Sequence, residues 1–131
     1  MSVTDKTILV IDDEEAFRDY MTALLEKNRF KVITAENGVS GEQKALKYKP
    51  DLIITDIVMP DKEGVEFIKS LRENDSVTPV IAVTGGDRVN AYSYLSMSKK
   101  LGANAILTKP FSKADILKVI HDLISNSSDI T

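Results

Sequence analysis

A chain of 131 residues and 14.5 kDa with 43% hydrophobic residues has the size and content of a single core, so one domain is expected across 1–131. Charged residues of both signs leave a net −3, which excludes an overall basic field for nucleic acid or an anionic membrane and turns attention to proteins and cations as partners. Cysteine is absent, which excludes disulfides, thiolate metal sites and thiol nucleophiles and fits a reducing cytoplasm.

The opening "MSVTDKT" lacks the basic and apolar regions of a signal peptide, and no apolar run approaches the ~20 residues of a membrane span, so a soluble cytoplasmic protein is expected. The first apolar run, "TILVI" at 7–11, is apolar at successive positions, as in a parallel-sheet strand covered on both faces. It stops abruptly at four acids, "DDEE". Segment 15–27 then places Phe17, Tyr20, Met21, Leu24 and Leu25 at spacings of three and four, which predicts an amphipathic helix. "KVITA" at 31–35 is a second strand, followed by a helical segment at 38–48 that Gly41 interrupts.

"DLIIT" at 51–55 is a third strand and runs into Asp56; segment 63–73, with Val65, Phe67, Ile68 and Leu71, is helical and ends before the turn-like "ENDS". "PVIAV" at 79–83 leads to Thr84, Gly85 and Gly86, whose spacing makes no dinucleotide fingerprint. A fourth helical segment, about 87–101, carries Val89, Tyr92, Tyr94, Leu95, Met97 and Leu101, more apolar residues than one stripe needs. A tyrosine or Met97 left outside the core would give a partner surface. The fifth run, "AIL" at 105–107, leads to Thr108, Lys109 and Pro110. The last helix starts near Ser112, a plausible N-cap, and carries Ile116, Leu117, Ile120, Leu123 and Ile124, with fraying expected at about 126–131.

Strands and helices alternating in this way predict an α/β sandwich around a mostly parallel sheet. Ligands of such sheets bind beyond the carboxyl ends of the strands, where Asp12, Asp13, Asp56, Thr84 and Lys109 all fall. Glu14 and Glu15 are explained as acids favoured at a helix start. Asp12 and Asp13 exceed what one cap requires, and like charges ~4 Å apart repel by about 4 kcal/mol at an effective dielectric of 20, so a cation is expected among them. Hard oxygen ligands without His or Cys point to Mg²⁺. Asp56 beside such an ion could attack phosphorus and become an acyl phosphate, with Lys109 pairing to the phosphoryl oxygens and Thr84 donating a hydrogen bond to one. His121, the only histidine, is read as an ordinary residue of the last helix.

The runs "ILVIDDEE", "PDLIITDIVMPDKEG", "PVIAVTGG" and "AILTKPF" resemble the receiver domain of two-component response regulators over essentially the whole chain. The resemblance implies a flavodoxin-like, doubly wound five-stranded parallel sheet of order 2-1-3-4-5 with five helices. It implies that Asp56 is the phosphoacceptor, Asp13 a direct Mg²⁺ ligand, Asp12 an acidic neighbour acting through water, and the Val58 carbonyl a further ligand. It makes Thr84 the switch hydroxyl, and Lys109 the phosphate-pairing lysine, with a cis bond to Pro110 common in the family; Val58 and Gly86 become rate-tuning positions.

By the same resemblance, a histidine kinase or histidine phosphotransfer protein donates the phosphoryl group. A protein target then reads the change on the face formed by the fourth helix, fifth strand and fifth helix. A stand-alone signalling module is expected, monomeric or dimerising on activation, with Mg²⁺-dependent self-phosphorylation and slow autodephosphorylation but no conventional enzymatic activity. Two features depart from the family pattern: Ile106 stands where an aromatic residue is common three places before the lysine, and the interval from Thr84 to Lys109 is longer by roughly one helical turn of ~3.6 residues.

Two other functions compete. An aspartyl-phosphate phosphohydrolase on a similar core would carry a second Asp two residues after the nucleophile, where this chain has Val58, and a cap insertion that is missing. A flavin-binding electron carrier would want a Ser/Thr/Gly loop after the first strand, where "DDEE" would repel phosphate.

Overall fold

The apolar runs pair as strands and the periodic segments between them coil back over the sheet, in a computed structural model that describes residues 5–57, 64–75, 77–85, 96 and 99–129. The order is β1 (Thr7–Ile11), α1 (Glu15–Lys27), β2 (Lys31–Ala35), α2 (Gly38–Tyr48), β3 (Leu52–Asp56), α3 (Gly64–Asn74) and β4 (Val80–Gly85). Helical residues 96 and 99–101, designated α4, precede β5 (Ala105–Lys109) and α5 (Lys113–Asp129). All neighbouring strands are parallel, in the expected order β2-β1-β3-β4-β5. No described helix is long and apolar enough to cross a membrane.

Alternation along the central strands feeds two cores. Leu9, Ile11, Ile53, Val80 and Ala82 pack with Phe67, Ile68 and Leu71 of α3 on one face. Ile8, Val10, Leu52, Ile54, Ile81 and Val83 pack on the other with Met21, Leu24 and Leu25 of α1 and Ile116, Ile120 and Ile124 of α5. Burial on both faces explains why β1, β3 and β4 read as continuous apolar runs; the edge strands β2 and β5 are only partly covered.

Several boundaries and side chains differ from the sequence reading. Tyr20, assigned to the buried stripe of α1, is 43% exposed. Gly41 does not interrupt α2, because its missing side chain is what lets the helix approach β1: a Cβ there would lie 2.5 Å from Ile11 Cδ1. β4 and β5 continue past their apolar runs because ladder hydrogen bonding does not require apolar residues. α5 is capped by the Ser112 side chain, which accepts from Asp115 N at 3.0 Å. The helix runs Lys113–Asp129. Val58, Gly86, Tyr92, Tyr94, Met97 and most of 87–101 lie outside the described residues, and with them the expected partner surface and lengthened interval.

The end of the sheet away from the acids is tied by Arg72 of α3. Its Nε and Nη2 donate to Gly102 O at 3.1 and 2.9 Å, Nη2 also reaches Asn104 Oδ1 at 3.0 Å, and Nη1 donates to Asp75 O at 3.1 Å. Gly102 has φ +124, and a Cβ there would sit 2.8 Å from Arg72 Cγ, so glycine is required on both counts.

Asp75 closes the neighbouring turn. Its Oδ1 accepts from Val77 N at 2.9 Å and Thr78 N at 3.0 Å, and its Oδ2 accepts from the Thr78 hydroxyl. Burial pushes the Asp75 carboxyl up, but these bonds and the Arg72 charge outweigh it and hold it below its ordinary value of 3.8. A depressed carboxyl stabilises the fold above its unfolded-state pKa, and that contribution is lost as pH falls through the folded-state value. Asp75→Asn is therefore expected to cost about 1–2 kcal/mol at pH 7. The difference from wild type should shrink in urea unfolding below pH 4, about the ordinary Asp value; a difference constant with pH would contradict this account.

Candidate functional site

The ends of four strands, β1, β3, β4 and β5, bring the predicted residues together. Asp12 follows β1 directly: its N–H donates to Ala35 O at 3.1 Å, extending the β1–β2 ladder by one residue. Its Oδ1 then accepts from Glu14 N at 2.9 Å, and Arg18 Nη1, one turn into α1, donates to its carbonyl at 2.8 Å. These bonds turn the chain from strand to helix and fix the carboxylate, which is fully buried. Asp13, the next residue, is exposed. Asp56 is the last residue of β3, 2% exposed, and pairs in register with Val83.

Asp12, Asp13 and Asp56 each offer a carboxylate oxygen within 4.8 Å of the others. That arrangement could hold a metal ion, and hard oxygen donors suit a small divalent cation. The Val58 carbonyl lies outside the described residues.

Lys109 ends β5, opposite Gly85 in the register, and its peptide bond to Pro110 is cis. Its Nζ lies 2.8 Å from Asp12 Oδ2, 3.3 Å from Glu14 Oε1 and 3.9 Å from Asp56 Oδ2. The same ammonium sits 4.0 Å from the centre of the Phe17 ring, which meets Phe111 edge-on at 6.1 Å. Thr84, near the end of β4, is fully buried, and its hydroxyl has no hydrogen-bond partner among the described residues. A buried donor without a partner is costly, which fits a site whose oxygen-bearing ligand would complete it.

The charges are unevenly compensated. Burial raises the Asp12 carboxyl above its ordinary value, more than the Lys109 hydrogen bond and the Glu14 N–H hold it down. Burial pushes Lys109 down, but its bond to Asp12 and the nearby Asp12, Asp56 and Glu14 carboxylates outweigh this and raise it, so it stays an ammonium.

Glu14 is the residue that sequence reasoning missed. Treated there as a helix-start acid, it occupies the N-cap of α1 but makes no side-chain capping bond; its carboxylate meets Lys109 instead. The residues are 95 positions apart, and no spacing rule connects them. Ile106 is exposed on the edge strand β5. His121 packs at a tilt on Phe30, 6.0 Å between ring centres, as befits an ordinary residue of α5.

Residues 8–121 match the family described as response regulator receiver domain. The chain is 32% identical over 120 residues to the chemotaxis protein CheY of Halobacterium salinarum, covering 92% of this chain and 98% of that protein. It is 36% identical over 120 residues to the protein PilH of Pseudomonas aeruginosa, covering 90% and 97%. Among solved structures, a CheY-like response regulator receiver domain protein from Methanospirillum hungatei superposes with a TM-score of 0.89 at 26% identity, over 98% of this chain and all of that one (100%).

Proposed function

The chain belongs to the response regulator receiver domain family, and from that premise we propose that it is a phosphoacceptor signalling module, with Asp56 receiving a phosphoryl group from a histidine kinase or histidine phosphotransfer protein. The observation that carries this reading is the meeting of Asp12, Asp13, Asp56 and Lys109 at one end of the sheet. The Asp56 carboxylate attacks phosphorus, forming an oxygen–phosphorus bond as the phosphorus–nitrogen bond to the donor imidazole breaks; the electron pair stays on that nitrogen. Lys109, 3.9 Å from Asp56 Oδ2, pairs with the transferred phosphoryl oxygens, and the buried Thr84 hydroxyl donates to one of them.

Asp12, Asp13 and Asp56, with the Val58 carbonyl, would hold Mg²⁺. When bound, that ion supplies positive charge to offset the carboxylates and the incoming phosphoryl group. Movement of Thr84 and Lys109 toward the phosphate biases the β4–α4 and β5 region, whose surface with α5 a partner protein reads. The module acts as a signalling protein and not as a conventional enzyme.

Incubation with acetyl phosphate and millimolar Mg²⁺ is expected to add one phosphoryl group per chain by intact mass, and EDTA is expected to prevent it. No incorporation under these conditions would overturn the reading. Repeated turnover of small phosphate esters would favour a phosphohydrolase.

A further inference from the structure

The Glu14 carboxylate makes no capping hydrogen bond to the first turn of α1, although Glu14 stands at the N-cap. It reaches across the mouth of the site to Lys109 Nζ at 3.3 Å, with its own side chain 60% exposed. Together with Asp12 at 2.8 Å and the Phe17 ring at 4.0 Å, it gives the ammonium three anchors on the α1 side. Phe17 lies three residues after Glu14, on the same side of the helix start, and Phe111 holds its ring from the edge. Asp56 Oδ2, at 3.9 Å, is farther away than either of the two carboxylate anchors. The lysine is thus docked beside the acceptor, with its nearest ionic contacts elsewhere.

We propose that Glu14 is a positioning residue that holds Lys109 in this resting place and so restrains phosphorylation of Asp56. To pair with the arriving phosphoryl oxygens, Lys109 exchanges its Glu14 contact for them; Asp12 and the Phe17 ring keep it within reach. This inference rests on the phosphoacceptor reading of Asp56. Removing the Glu14 contact lowers the cost of the exchange by what an exposed ion pair is worth, so phosphorylation should be about two- to fivefold faster.

The test compares wild type with Glu14→Gln, Glu14→Asp and Glu15→Gln. Glu14→Asp keeps the charge but shortens the side chain by one carbon–carbon bond of ~1.5 Å, which breaks a contact and leaves the field nearly unchanged. Glu15→Gln removes a like charge from the first turn of α1, where no contact to Lys109 is described. At saturating Mg²⁺ and fixed acetyl phosphate, both Glu14 variants are expected to incorporate phosphoryl groups about two- to fivefold faster than wild type, with Glu15→Gln near wild type. In metal-free protein, nitrogen-resolved NMR of the Lys109 ammonium should shift in both Glu14 variants and not in Glu15→Gln. Equal acceleration by Glu14→Gln and Glu15→Gln, or wild-type rates in both Glu14 variants, would overturn the proposal. Label persisting in Asp56→Asn would instead remove the phosphoacceptor reading, and the metal-free spectra would still decide whether Glu14 holds Lys109.

Discussion

Asp56→Asn should reduce phosphoryl incorporation from acetyl phosphate to background while leaving the protein folded and more stable without metal. The amide keeps the shape of the carboxylate but is too weak a nucleophile to form the acyl phosphate. The gain in stability follows from charge. Three carboxylates with oxygens within 4.8 Å of one another repel by roughly 3–4 kcal/mol per pair at an effective dielectric of 20, and Lys109 offsets only part of this. Removing the Asp56 charge should therefore raise urea-unfolding stability in EDTA by about 1–2 kcal/mol, a fraction of that repulsion. The rise in melting temperature on adding Mg²⁺ should be smaller than in wild type, because one ligand is lost. Retained label, or an unchanged response to Mg²⁺, would show that Asp56 is not the group at issue.

The second large effect is expected in the core and not in the acidic cluster itself. Phe67 on α3 is fully buried in the face shared with Leu9, Ile53, Ile57, Ile68 and Val80. Phe67→Ala removes a ring that close-packed neighbours replace only in part, at a cost of about 3–5 kcal/mol. Domains of this kind are stable by about 5–15 kcal/mol, so the variant should retain a much lower urea midpoint with an unchanged slope. Phosphorylation of its folded fraction should persist, since none of the carboxylates belongs to that layer. A loss under 1 kcal/mol would mean the layer tolerates the void, against the usual range for buried Phe.

The strand runs and helix stripes could be read because burial leaves a periodic mark on neighbouring positions. β1, β3 and β4 sit between two helical layers and therefore show as unbroken apolar runs, and α1 and α2 begin and end where their patterns do. Site residues at strand ends could be read for a related reason, since a buried run that turns abruptly acidic, as at Ile11 to Asp12, is hard to explain by the core alone. Contacts between distant polar side chains leave no such mark. Nothing near Arg72 announces its bonds to Gly102 and Asn104, and nothing near Glu14 announces Lys109. Gly41 shows the opposite difficulty: a residue that weakens a helix locally is retained because of what it packs against.

The alternation in β1 ties chemistry to architecture more tightly than either does alone. Leu9 and Ile11 serve one layer, Ile8 and Val10 the other, and the next position is the buried Asp12 while Asp13 is exposed. Deleting one residue from this strand would swap the tenants of both layers and, in the same stroke, offer Asp13 in the place from which Asp12 meets Lys109. A one-residue change of length in this strand is therefore expected to disturb the core and the acidic site together.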